Sequence, residues 1–144
     1  MAITQAMCTS FKEDLSQKEQ DMDSDTINIA LYTSSASLDA ATTAYTTSGE
    51  VASGGGYTTG GETLTTPVIG TSGTTAYVDF DNPEWTSASF TTAGALIYNK
   101  TVYDADNTKG SIAVLNFGGD FTVTSGTFRI VFPSPGAAGL IRID

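Results

Sequence analysis

Histidine is missing from all 144 residues of the chain. Its absence removes the commonest general base, the commonest metal ligand and the side chain that titrates near neutrality. Cysteine occurs once, at Cys8, so no disulfide can form within the chain. A thiol nucleophile needs a neighbouring histidine or another cation to activate it; Cys8 is therefore expected to be a buried helix residue. Basic residues are scarce: six Lys and Arg stand against 16 Asp and Glu, a formal net charge of −10. That balance repels phosphate backbones and anionic lipid, so neither nucleic acid nor a membrane is an expected partner. No apolar run approaches the roughly 20 residues of a membrane-spanning helix. The opening MAITQAMCTSFKEDL lacks the basic and apolar regions of a signal peptide, so the expected product is soluble and made in a cytoplasm. No serine has a base to activate it, and neither a metal-ligand cluster nor a P-loop is present. A non-enzymatic protein without a cofactor is the expectation.

What the chain has is threonine, 24 residues in all, and short β-prone runs punctuated by Gly, Pro, Asn and Asp. The length fits one domain, which buries about two-thirds of its unfolded surface. Ile3, Met7, Phe11 and Leu15 recur four apart, and this spacing predicts an amphipathic helix over residues 4–20, started by Thr4 without a full capping box. Residues 16–25 are polar and acidic and read as a frayed end and linker. Residues 1–25 thus form a helix and acidic linker, and 26–144 a single domain. Residues 26–33 alternate, with Ile27, Ile29 and Leu31 on one face. Further strands are expected at 57–65, 76–80, 85–91, 94–98, 112–117, 121–123, 128–132 and 140–143. About eight strands with turns between them predict an all-β fold, a jelly-roll or β-sandwich preceded by one N-terminal α-helix. The long Ser/Thr/Gly-rich loop at 34–56, with Leu38, Tyr45 and Val51 as apolar anchors, reads as an ordered surface loop that leans on something. GTSGTTAY and VTSGTFRI share a turn signature, with glycine expected at the position of positive φ.

Candidate chemistry is thin. Asp21, Asp23 and Asp25 have the opening spacing of an EF-hand loop, but Thr26 stands where its glycine belongs and Tyr32 where its glutamate belongs; an acidic linker is the reading. Asp79 and Asp81 flank Phe80 in the manner of a carboxylate pair, yet Asp81-Asn82-Pro83 reads as a turn. Asp104 to Gly110 reads as a polar hairpin tip with the makings of a weak calcium site. Gly54-Gly55-Gly56 and Gly60-Gly61 have no Lys-Ser/Thr pair after them and read as bends beside a strand. Trp85 is expected in the core. Tyr57, Tyr98 and Tyr103 together offer a sugar-stacking platform.

Several stretches carry a resemblance that covers nearly the whole chain: MAITQAMCTSFKEDL, DTINIALYTSSASLDAATTAYT, GGGYTTGGETL, VDFDNPEW, GALIYN and AVLNFGGDFTVTSGTFRIVFP. Together they resemble a small virion structural protein of tailed bacteriophages, most like a capsid cement (decoration) protein. The resemblance implies a jelly-roll or sandwich domain that sits on the outer face of the head and clamps neighbouring subunits. The implied partners are the major capsid protein and other copies of this chain, as a dimer or trimer. The implied location is the capsid exterior of the virion, after synthesis in the host bacterial cytoplasm. A tail, neck or head-surface module contacting host glycan is the alternative. On this reading the helix stripe of Ile3, Met7, Phe11 and Leu15, together with Leu38, Tyr45 and Tyr57, carries partner contacts. The neutral tract after residue 33 would pack closely on another backbone.

Overall fold

The structure, a computed structural model, describes residues 2–136 and 138–143. It is an all-β, sandwich-like fold, 46% strand and 10% helix, built from two antiparallel sheets. The elements in chain order are β1 (Ala6–Met7), α1 (Thr9–Ser16), β2 (Ile27–Tyr32), β3 (Glu62–Thr63), β4 (Val68–Ser72), β5 (Thr75–Asp79), β6 (Glu84–Asn99), α2 (Lys100–Ala105), β7 (Ser111–Arg129) and β8 (Ile141–Ile143). The larger sheet has the order β1-β7-β6-β2-β3, and the smaller β4-β5-β8.

The frame is the pair β6 and β7, joined by the short helix α2. Their register runs from Tyr98 opposite Ser111 to Glu84 opposite Arg129. β2 lies against the inner half of β6, from Ile27 opposite Asn99 to Tyr32 opposite Gly94. All six residues of β2 are buried, as expected of a strand enclosed on both faces. Its amide side chain, Asn28, accepts from Thr63 Oγ1 at 3.0 Å, so it enters the core paired. The core gathers Phe11, Ile27, Ile29, Leu31, Trp85, Leu96, Ile97, Ile112, Val114 and Ile141 around this strand.

Backbone approach forces glycine at Gly61 and Gly94, among others. At Gly61, φ is +79° and a Cβ would lie 1.8 Å from the Ile29 carbonyl oxygen. At Gly94, a Cβ would meet the Leu115 oxygen at 2.6 Å and the Ile3 side chain at 2.9 Å. Glycine at Gly94 therefore lets Ile3 lie flat on the sheet.

The N-terminal segment departs from the expected helix. Ile3 bridges Leu38, Ala6 and Met7 pair with Val114 and Ala113, and only Thr9–Ser16 is helical. A spacing of four satisfies a strand as well as a helix, because side chains two and four apart share a strand face. Ile3 and Met7 are strand-spaced, whereas Phe11 and Leu15 are helix-spaced. The helix start is held from outside: Thr9 N–H donates to the Ala40 carbonyl at 2.8 Å and Cys8 N–H to that of Ile112 at 2.8 Å.

The acidic stretch after α1 is pinned. Gln20 Nε2 donates to buried Asp14 at 3.1 Å, and Asn99 Nδ2 donates to Gln20 at 2.9 Å and to Asp25 at 2.7 Å. Asn99 Oδ1 in turn caps α2 by accepting from Val102 N–H. Cys8, Phe11 and Met22 all enter the common core, so residues 2–25 fold with the sheets.

Other expectations differ from the structure. The runs at 85–91 and 94–98 are one strand, β6, and those at 112–117 and 121–123, with the start of 128–132, are one strand, β7. Register shifts mark where the bulges fall. In VTSGTFRI the residue of positive φ is Ser125, at 47°, and the segment stays in β7; only GTSGTTAY makes the expected turn, at Gly73. The segment expected as a hairpin tip, 104–110, opens with the last two residues of α2, and β4 has no counterpart among the expected strands.

Candidate functional site

The seven residues expected to carry partner contacts are built into the fold. Phe11 is 1% exposed and Leu38 1%. Ile3 and Met7 are half-buried against the core as extended segment, and Leu15 as the last apolar residue of α1. Tyr57 is 2% exposed and Tyr45 half-buried. The structure brings Ile3 to Leu38, and Tyr45 and Tyr57 to a common carboxylate, but it does not assemble the seven into one surface. Met7 and Leu15 alone reach a shared groove, with Lys12, Arg142 and Ile143.

The backbone on which the neutral tract packs is the chain's own. Thr4 N–H donates to the Leu38 carbonyl at 2.8 Å and Leu38 N–H to that of Ala2 at 3.0 Å. Further along, Val51 N–H donates to the Leu31 carbonyl and Thr33 N–H to that of Gly49. The loop 34–56 is thus ordered by strand-like rungs to residues 2–4 and β2.

A carboxylate closes this loop, and no motif marks it in the sequence. Glu50 Oε1 accepts from Tyr57 OH at 2.7 Å and Gly60 N–H at 2.7 Å, and Oε2 accepts from Tyr45 OH at 2.5 Å. Tyr57 OH also accepts from Leu31 N–H at 2.9 Å. Tyr98 OH donates to the Gly60 carbonyl at 2.8 Å, and Tyr32 OH to that of Thr46 at 2.6 Å. Burial pushes the Tyr32, Tyr45 and Tyr57 phenols well above their ordinary value, with Glu50 adding to the rise. Burial likewise pushes Tyr98 up to about 12. These hydroxyls stay protonated, and both oxygens of Glu50 are occupied. The cluster acts as a staple rather than as acid–base machinery.

The tyrosines also fail to make the sugar platform. Tyr98 and Tyr103 stand with Tyr45, which stacks on Tyr98 at 4.8 Å between centroids, while Tyr57 faces Trp85 and Phe90. Trp85 is in the core as expected.

The remaining candidates resolve into local structure. Asp21 accepts from Asp23 and Ser24 N–H, bonds that hold its carboxyl below the usual range. Asp106 is held low in the same way by Thr108. Asp79 is buried and accepts from Phe80 N–H at 2.9 Å, while Asp81 is exposed, so the two make no pair. Cys8 is buried at the start of α1, and burial pushes its thiol up. Among the described residues no three His, Cys, Asp or Glu side chains are placed to share a metal ion, and no helix is long and apolar enough to cross a membrane.

One surface stands out. Beyond the reach of β2 and β1, β6 and β7 continue as a two-stranded ribbon, pairing Thr92 with Phe121 through to Glu84 with Arg129. One face of the ribbon is aromatic. Phe117 contacts Phe121 at 6.2 Å and Phe128 at 6.0 Å, and Phe128 contacts Phe90 at 5.6 Å. Phe121 is 51% exposed and the adjoining Val131 72%. Phe117, Phe121, Phe128, Ile130 and Val131 line an open groove of about 250 Å³. The run NFGGDFTVTSGTFRIV could have flagged the ribbon, since it holds six large apolar residues and only Asp120 and Arg129 as charges.

No family model, curated protein or solved structure matches the chain.

Proposed function

We propose that this chain is a non-enzymatic structural protein of a tailed-bacteriophage virion, a capsid cement protein that binds the outer face of the major capsid protein lattice and stabilises the head. The observation that carries the reading is the ribbon. A chain of net charge −10 keeps one strip with balanced charge, lined by Phe117, Phe121, Phe128, Ile130 and Val131, and exposes it. Such a strip suits attachment to another protein surface. The sequence resemblance supplies the virion, and the stapled, many-bonded loop 34–61 supplies a scaffold suited to a shell under internal pressure. The inward-packed tyrosines favour lattice contact over the alternative of a glycan-binding tail, neck or head-surface module.

Copy number in purified virions, measured by quantitative mass spectrometry against the major capsid protein, tests the reading. A ratio near one chain per capsid subunit, or a simple fraction of it, is expected. Absence from virions, or a ratio of a few copies per particle, would overturn it.

A further inference from the structure

The outer edge of β7 has no strand beside it after Val114 among the described residues, where β1 ends its pairing. Such an edge presents unpaired N–H and C=O groups and templates the addition of another strand. We propose that the occupant is the same edge of a second copy, paired antiparallel about a twofold axis between Thr124 and Ser125.

The sequence of the edge is nearly symmetric about that point. DFTVT runs up to it and SGTFR away from it. Antiparallel pairing about this axis sets Asp120 opposite Arg129 of the second copy, Phe121 opposite Phe128, Thr122 opposite Thr127, Val123 opposite Gly126 and Thr124 opposite Ser125. Each pair occurs twice. Opposite charges, aromatic pairs and threonine pairs are the combinations that stabilise facing strands.

Backbone geometry supplies a second, independent argument. Facing residues of an antiparallel pair project to the same side of the sheet, so Phe121 and Phe128 must share a face for the pairing to work. They are seven apart, and in a regular strand that odd spacing puts them on opposite faces. Ser125, at φ 47°, bulges the strand, and the register steps three residues on β7, from Gly126 to Val123, against two on β6, from Ala88 to Phe90. The extra residue restores parity. Both rings touch Phe117, which shows that they share the aromatic face. The two bulges meet at the axis, where Thr124 and Ser125 are small.

Charge adds a third. Two copies of a chain of net charge −10 repel one another, and the self-association surface must be where that repulsion is least. Residues 116–131 carry one acid and one base, placed to face each other across the axis. Arg129 already holds Glu84 at 2.9 Å, and a guanidinium has donors to spare for Asp120 of the second copy. The pairing also covers Phe121, which the single chain leaves half in water.

Sedimentation analysis of the whole chain tests this without a virion, so it stands or falls separately from the cement reading. The wild-type chain is expected to dimerise. Asp120→Arg and Arg129→Asp each put two like-charged pairs across the axis and are expected to raise the dissociation constant about tenfold. Mixing these two variants places Arg opposite Asp at every pair, so a one-to-one heterodimer is expected to form. With Thr122→Cys and Thr127→Cys in one chain, oxidation is expected to give covalent dimers. Four results overturn the proposal: a monomeric wild type; a single variant that dimerises as tightly as wild type; folded variants that stay monomeric when mixed; or cysteine pairs that do not cross-link. A trimer would overturn it too, because edge pairing about a twofold axis closes at two.

Discussion

Replacing Glu50 separates the geometry of the staple from its charge. The carboxylate holds Tyr57 OH, Gly60 N–H and Tyr45 OH. Glu50→Ala removes all three acceptors. Tyr45 is half-buried and regains water at little cost, whereas Tyr57 is 2% exposed. Leaving the Tyr57 hydroxyl unpaired costs about 2 kcal/mol, and the half-buried Gly60 amide adds about 1 kcal/mol, for about 3 kcal/mol together. Glu50→Gln keeps one oxygen for Tyr57 and Gly60 and offers Tyr45 an N–H to accept, so its cost is about 1 kcal/mol. Urea unfolding of the two variants measures the difference. With a slope of about 2 kcal/mol per molar, the midpoint falls by about 1.5 M for Ala and about 0.5 M for Gln. Hydrogen exchange over residues 44–61 is expected to quicken in the Ala variant well before global unfolding. Equal midpoints for the two variants, or a loss below about 0.5 kcal/mol for Ala, would refute the staple.

Gly61→Ala drives a Cβ into the Ile29 carbonyl at φ +79°, whereas Gly118→Ala, at φ +84°, meets open space. The first is expected to cost about 3 kcal/mol or more and the second about 1 kcal/mol, and equal unfolding midpoints would contradict the packing described. Alkali is expected to unfold the protein. The Tyr32, Tyr45, Tyr57 and Tyr98 phenols have folded-state pKa values raised above the unfolded value of 10.0. Their contribution is therefore whole below about pH 10 and is lost as pH rises past it, because the unfolded chain gives up these protons first. Tyr32, the most enclosed, contributes a slope of about 1.4 kcal/mol per pH unit, and the more exposed phenols contribute less. Phenolate absorbance is expected to rise together with the loss of circular dichroism; full ionisation of the tyrosines with a native spectrum would refute the burial argument.

β2 was legible because its apolar alternation has β-branched residues and a clear polar approach, and Trp85 because a lone large aromatic next to a turn rarely stays in water. β6 and β7 were divided at Thr92-Ala93, Gly118-Gly119 and Thr124-Ser125. These are turn-like residues, and a bulge needs the same small or positive-φ residues that a turn does. The sequence alone does not say whether the chain reverses there or steps aside. The N-terminal helix was overextended because its four-residue spacing fits two periods. Burial of Phe11, Leu38 and Tyr57 was visible as hydrophobicity but not as direction, since an amphipathic stripe fits its own sheet and a partner equally well. The ribbon's apolar run stands in the sequence, but its exposure does not. Nothing local distinguishes an aromatic strand that another strand covers from one left open, because cover is a property of topology.

The burial of β2 on both faces has a consequence for synthesis. Ile27 to Tyr32 emerge from the ribosome long before residues 94–99, the strand they must pair with. Until then INIALY is an apolar, β-prone segment without a partner, the kind that seeds aggregates. The acids immediately upstream, Glu13, Asp14, Glu19, Asp21, Asp23 and Asp25, place a block of negative charge beside it during that interval. Gatekeeping of the nascent chain would be a second use for Asp14 and Asp25, which, once folding is complete, anchor α2 through Gln20 and Asn99.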